Sequence, residues 1–223
     1  TRNNFNGLAA YEEKDETPFR FGSFTTMGEL YVETGLNELR MSNYRRILSL
    51  DSAMVVVQFD KDGVQYQRKY FISYPDSVMV MKFTANQSGK QNLILSYCPN
   101  SEAKSNLRAD GKDGLVYTGV LDNNGMKFAF RIKAIHKGGT LEAENDRLIV
   151  KGADEVVFLL TADTDYKMNF NPDFKDPKTY VGNDPEQTTR IMMDQAVQKG
   201  YDELYRNHEA DHTALFNRVR LQL

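Results

Sequence analysis

The sequence predicts a mainly β protein, an antiparallel two-sheet sandwich or supersandwich with a C-terminal helical linker. Three observations predict it. From about Arg20 to Asp163 apolar residues recur mostly with period two, in runs of about 6–10 residues separated by Gly, Asn and Asp. Almost no helical period occurs among these runs, so two facing sheets are the economical way to bury the apolar side of each. After Asp184 the period changes to 3.6.

The elements follow in order. Met54 to Phe59, the turn Asp60-Lys61-Asp62-Gly63 and Val64 to Phe71 form a hairpin, with Gly63 where a positive φ is needed. Further strands are read at Val78–Phe83, Asn92–Tyr97, Gly114–Val120, Met126–Ile135 and Arg147–Val150. Val156 to Leu160 is apolar throughout, which places it at the centre of a sheet. Tyr166 to Asp184 contains Pro172, Pro177 and several Asn and Asp residues without periodicity, the pattern of a long surface loop. Asp184 can cap a helix, Pro185 suits its first turn, and Gly200 ends it. A second helix carries Tyr201, Leu204, Tyr205, His208, His212, Leu215, Phe216 and Val219 along one stripe, and Val219 to Leu223 alternates like the start of a strand.

The 223 residues allow one β-rich domain with a helical appendage. With 40 % hydrophobic residues, 13 Phe and 12 Tyr, the chain has the apolar surface to fold. The net charge of −3 comes without blocks of like charge, so no basic patch points to nucleic acid or an anionic membrane. No run approaches the roughly 18 apolar residues of a membrane span. The single Cys98 has no partner for an internal disulfide and does not fix a compartment.

His208-Glu209-Ala210-Asp211-His212 is a literal H-E-x-x-H on a predicted helix, a pattern that can hold zinc on two imidazoles with a carboxylate beside the metal-bound water. A zinc peptidase needs a third protein ligand. The one other histidine, His136, lies on a predicted strand, and both motif histidines share the stripe of Leu204, Leu215 and Phe216. Docking of the helix is therefore the preferred reading, and no metal or cofactor is expected. Asp163, Asp165, Asp173, Asp176 and Asp184 cluster in one loop, but Met168 and Phe174 stand where a calcium loop needs Gly and Glu, so a solvated acidic loop is expected. Phosphate-cradling glycine motifs and a G-x-S-x-G nucleophile elbow do not occur, and no carboxylate pair stands out for glycoside hydrolysis. The abundant Tyr and Phe could stack on sugars, but most alternate with polar residues along strands, as core residues do.

Three stretches resemble the N-terminal domain of glycoside hydrolase family 95, the inverting α-L-fucosidases with some α-L-galactosidase members. Phe24-Thr25-Thr26-Met27-Gly28-Glu29-Leu30-Tyr31-Val32 is similar to that family's "PLGDLYL" strand. Asn43 to Ala53, continuing through Gly63-Val64-x-Tyr66-x-Arg68-Lys69-x-Phe71-x-Ser73-x-Pro75-Asp76-x-Val78, resembles "DYRRELDLDTA…GVxYxREYFxSxPDxV". Gly200-Tyr201-Asp202-Glu203-Leu204, with His208, Asp211, His212, Leu215, Phe216, Arg218, Val219, Leu221 and Leu223, resembles "GYxELxxxHxxDYxxLFxRVxLxL". Asn43, Ser49, Lys69 and His212 depart from these patterns. The last replaces a Tyr, and that replacement creates the H-E-x-x-H.

The resemblance implies a β-sandwich domain over 1–165 that lacks its first strands, an irregular loop over 166–184, and two helices with a strand start over 185–223. These would lead to a separate (α/α)6 barrel holding the general acid and the water-activating groups. No catalytic residue is then expected in this chain, and substrate-binding residues are not assigned. Leu204, Tyr205, His208, Leu215 and Phe216 are expected to contact the barrel, the partners being that barrel and the glycan substrate of the parent enzyme. A bacterial source and a periplasmic or secreted location follow from the same resemblance. The alternative function is a self-sufficient carbohydrate-binding module for fucosylated or related glycans.

Overall fold

A computed structural model describes residues 26–37, 39–99, 103–121, 125–144, 146–173 and 175–219. Twelve strands are described, β1 (Gly28–Glu33), β2 (Ser42–Ser49), β3 (Met54–Lys61), β4 (Val64–Ser73), β5 (Val78–Ala85), β6 (Gln91–Pro99), β7 (Ala103–Ala109), β8 (Gly114–Leu121), β9 (Lys127–Lys137), β10 (Thr140–Ala143), β11 (Arg147–Ala153) and β12 (Glu155–Thr164). One helix, α1 (Pro185–Phe216), follows. The strands form two antiparallel sheets, one of eight in the order β2-β3-β4-β5-β12-β9-β8-β7 and one of four in the order β1-β6-β11-β10. The mainly β sandwich read from the sequence is the fold.

The β3–β4 hairpin turns through Asp62 (φ 50°) and Gly63 (φ 76°), two successive positive φ angles that match the right-handed twist of the strands they join. β12 lies between β5 and β9, at the centre of the large sheet, as its unbroken apolar run requires. Its side chains alternate between two cores. Val156 and Phe158 face the small sheet, in a cluster with Phe83, Leu95, Tyr117, Phe130 and Leu148, while Val157 and Leu159 face the helix, in a cluster with Phe71, Val80, Met193, Ala196 and Leu204. The molecule therefore has three layers, and the helical layer covers the outer face of the eight-stranded sheet. A periodic pattern reports that both faces of a strand are buried, but not what buries each.

Three strands escaped the sequence reading, among them β2, whose Asn43-Tyr44-Arg45-Arg46 segment is matched to a family pattern but not read as a strand. β7 is an edge strand whose Lys104, Ser105, Asn106 and Arg108 hide any alternation, and β10 has four residues. The predicted helices 185–199 and 201–219 are one helical segment broken at Gly200 (φ 73°, ψ 171°), and it ends at Phe216, before Val219. The expected strand start at Val219–Leu223 lies almost wholly outside the described residues, and Val219 itself is in no strand.

The two-sided burial of β12 predicts that Phe158→Ala and Leu159→Ala, on opposite faces, each lose about 3 kcal/mol or more in urea unfolding. A loss under about 1 kcal/mol for Leu159→Ala alone would mean that α1 does not cover this face in solution.

Candidate functional site

The features with chemical potential gather where α1 crosses the large sheet. Asp184 Oδ1 accepts from the Glu186 amide at 3.2 Å, which starts the helix, and Pro185 follows as the sequence predicts. Near this end Arg108 Nη2 meets Glu186 Oε1 at 2.6 Å, and Thr161 Oγ1 on β12 donates to the Thr189 carbonyl at 3.1 Å. Past the middle, Tyr201 and Tyr205 pack edge-on against Phe71 at 5.9 and 5.8 Å, and Leu204 is fully buried. Lys82 Nζ sits 4.2 Å from the centre of the Tyr201 ring and 2.8 Å from Glu155 Oε2, while Lys137 reaches Glu155 Oε1 at 3.0 Å.

The break at Gly200 is held by one carboxylate. Asp76, whose side chain is 2 % exposed, accepts from Ser73 Oγ at 2.6 Å, from Lys199 Nζ at 2.7 Å and from Asn207 Nδ2 at 3.1 Å. Lys199 ends the first half of α1 and Asn207 belongs to the second, so both halves are tied to the β4–β5 turn. Burial disfavours the charge on Asp76, but the hydrogen bonds from Lys199, Ser73 and Asn207 and the Lys199 charge outweigh it and hold the carboxyl below its usual pKa. Glu155 follows the same pattern: burial opposes its charge, Lys82 and Lys137 stabilise it more, and its pKa is lowered. Asp76, Lys199 and Asn207 were not singled out from the sequence. The signal available was the Ser73-x-Pro75-Asp76 segment of the second family-like stretch.

The H-E-x-x-H is fully engaged within the fold. His208, 6 % exposed, stacks on Phe71 at 4.9 Å and donates from Nε2 to the Ser52 and Ala53 carbonyls at 3.0 and 3.2 Å. His212 Nε2 donates to the Leu50 carbonyl at 2.6 Å, and Glu209 Oε1 accepts from the Tyr205 hydroxyl at 3.0 Å. A carbonyl acceptor requires the proton on Nε2, so neither Nε2 lone pair is available to a metal in this arrangement. Among the described residues no group of three His, Cys, Asp or Glu side chains stands as a metal cage.

The acidic cluster serves the backbone. Asp163, Asp165, Asp173, Asp176 and Asp184 accept through Oδ1 from the amides of Thr164, Lys127, Lys175, Lys178 and Glu186 at 2.8, 2.9, 2.9, 2.9 and 3.2 Å. Those of Asp173, Asp176 and Asp184 are turn and cap contacts, the ordinary use of Asp where the chain changes direction, while Asp165 ties the chain just past β12 to Lys127 at the start of β9. The loop they shape is ordered, with a bridge between Tyr166 and Val181 and a hydrogen bond from Asn169 Nδ2 to the Thr179 carbonyl at 3.1 Å.

The five residues expected at a domain contact divide in two. Leu204 and His208 are spent on their own sheet, and Tyr205 packs against the same cluster. Leu215, 58 % exposed, and Phe216, 41 % exposed, remain on the surface with Val219 and Leu50.

The architecture is a two-sheet antiparallel sandwich with a helix fixed along the outer face of its larger sheet. Residues 4–169 match the family model "Glycosyl hydrolase family 65, N-terminal domain", and the chain belongs to that family. It is 27 % identical over 219 residues to "Probable alpha-fucosidase A" of Aspergillus niger and 26 % identical over 226 residues to "Alpha-L-fucosidase 2" of Arabidopsis thaliana. These alignments take in 93 % and 90 % of this chain and 26 % of each relative, so the chain spans about a quarter of their length. A solved structure, "Putative kojibiose phosphorylase from human microbiome", superposes with a TM-score of 0.57 at 10 % identity over 84 % of this chain and 27 % of that one, a likeness of fold. The family shown is a glycoside hydrolase N-terminal domain whose matching model carries the number 65, where the sequence motifs resemble family 95.

Two outcomes follow at this site. His208→Leu removes the donor facing two half-buried carbonyls and is expected to cost about 1–3 kcal/mol in thermal unfolding, while His212→Leu, at a more open position, costs less. The lowered pKa values of Asp76 and Glu155 mean that their stabilisation is present above about pH 4 and is lost as pH falls through the folded-state values. Asp76→Asn should therefore flatten the acid limb of a stability-against-pH curve, and an unchanged limb would mean that the joint at Gly200 does not depend on this charge.

Proposed function

We propose that the chain is the non-catalytic N-terminal β-sandwich domain of an inverting exo-glycoside hydrolase of the family 95 type, an α-L-fucosidase. In this reading it supports an (α/α)6 catalytic domain of the same polypeptide. The supporting observation is the pair of relatives named as fucosidases, which align over nearly all of this chain while the chain covers 26 % of each. Inversion needs a carboxylic acid and a second carboxylate about 6.5–9.5 Å apart with a water between them, and the reading assigns these groups to the rest of the polypeptide. The support given by this chain would be mechanical. Asp76, His208 and the buried stripe fix α1 on the sandwich, and Leu215 and Phe216 are the side chains offered to the catalytic domain. The same reading puts the protein in the periplasm or outside the cell, where fucosylated glycans are met.

The isolated chain should release no fucose from a disaccharide with a terminal α-L-fucosyl residue, whereas the complete enzyme should. Turnover by the chain alone that vanishes on replacing one of its own acidic residues would overturn the proposal. In the complete enzyme, Leu215→Asp combined with Phe216→Asp should lower the thermal midpoint of the catalytic domain, and an unaffected midpoint would remove the helix end from the contact.

A further inference from the structure

We propose that the open cleft between strands β7 and β8 and the N-terminal end of α1 is a saccharide subsite for one or two pyranose rings. The cleft measures about 520 Å³, within the roughly 300–1,000 Å³ of small-molecule sites. Its walls carry Ser105 and Asn106 of β7, Thr118 of β8, Lys127 of β9, and Asp184 and Glu186 at the helix start. Both signs of charge stand beside neutral hydroxyl and amide groups, which suits a polyhydroxylated neutral ring better than an ion. The two carboxylates are already committed, Asp184 to the Glu186 amide and Glu186 to Arg108 at 2.6 Å, so they do not form a free cation cage. Val120, 37 % exposed, gives the cleft an apolar surface against which the C–H face of a sugar can lie. Behind it the buried Phe128 ring closes over Gly119 from the sandwich interior and leaves no room for a Cβ there.

The walls are preorganised. β7, β8 and β9 pair continuously, and Asp165 clamps Lys127 from both sides, its Oδ1 accepting from the Lys127 amide at 2.9 Å and its own amide donating to the Lys127 carbonyl at 3.0 Å. A rigid site of this kind loses little ordering entropy on binding. The inference rests on the glycan-processing reading above and extends it to a place on this chain that touches sugar.

The test is a titration of the ¹⁵N-labelled chain, followed by amide shifts, with three probes: a disaccharide ending in α-L-fucose, maltose, and sulfate. Saturable shifts with either disaccharide, confined to 104–106, 118–119, 127–128 and 184–186, are expected. Asn106→Ala and Thr118→Val should each weaken that binding by about fivefold, the worth of one hydrogen bond, while keeping the spectrum of the folded chain. No saturable shift with either sugar, shifts confined elsewhere, or a response to sulfate but to neither sugar would overturn the proposal. Fucose release by the isolated chain would sink the non-catalytic reading without touching this one, and an unresponsive cleft would sink this one without touching that reading.

Discussion

Everything in this fold hangs on a strand that has no solvent side. Leu159, Phe158 and Val156 of β12 are fully buried and Val157 is nearly so, which is possible because β5 and β9 satisfy the backbone from both edges. The alternation that ordinarily separates core from water separates two cores instead. One is the aromatic-rich interior between the sheets, where Tyr97 stacks on Phe130 at 4.8 Å and Phe158 meets Phe83 edge-on at 5.8 Å. The other exists because α1 lies across the strand. Without the helix, Val157, Leu159, Val80 and Phe71 would form an exposed apolar band on the large sheet, so the helix is part of the domain's core before it is anything else.

That second core is small, and polar groups at its margins do much to fix its geometry. Asp76 at the Gly200 break, Glu155 beneath Tyr201 and His208 over the β2–β3 turn each bring a polar side chain close to the sheet, where an unmet partner would cost more than the contact contributes. Each is met by groups from a different element. The result is a helix whose position is specified by directional contacts along its length, and whose break is fixed by Lys199 and Asn207 sharing one carboxylate. Nonpolar packing alone would hold the helix on the sheet but would leave it free to slide.

The sequence made local features legible and left long-range ones hidden. The hairpin through Asp62 and Gly63, the cap at Asp184, the break at Gly200 and the central position of Val156–Leu160 all follow from residues near one another in the chain. The third layer could not be read, because the pairing of Leu204 with Val157 and Leu159 is a matter of topology and not of period. The H-E-x-x-H could be weighed from its missing third ligand, but the carbonyls of Leu50, Ser52 and Ala53 that its histidines meet lie more than 150 residues away in sequence. The solvated acidic loop expected from the sequence describes Asp173, Asp176 and Asp184, which are exposed, but not Asp165, which is 7 % exposed and holds the Lys127 amide. Edge strand β7 was missed because polar Lys104, Ser105, Asn106 and Arg108 hide its alternation, and a polar edge is one way a sheet discourages further pairing.

The allocation of side chains along α1 also constrains any contact made by its far end. Leu204 and His208 cannot serve two masters, being buried in their own chain, so an interdomain surface at this end begins from Leu215, Phe216 and Val219. Three side chains fall well short of the roughly 600–1,500 Å² that contacts between domains bury. The neighbouring surface is suited to make up the difference. His212 ties the helix to Leu50, which is 63 % exposed, and Phe216 stacks on the same imidazole at 5.1 Å, so the helix end and the β2–β3 turn form one apolar patch. Edge strand β2 continues from that turn with Ile47 and Leu48 exposed. A catalytic domain docking here would thus meet a composite of helix end, turn and sheet edge, and His212, holding turn and helix together, would fix the relative position of its two halves.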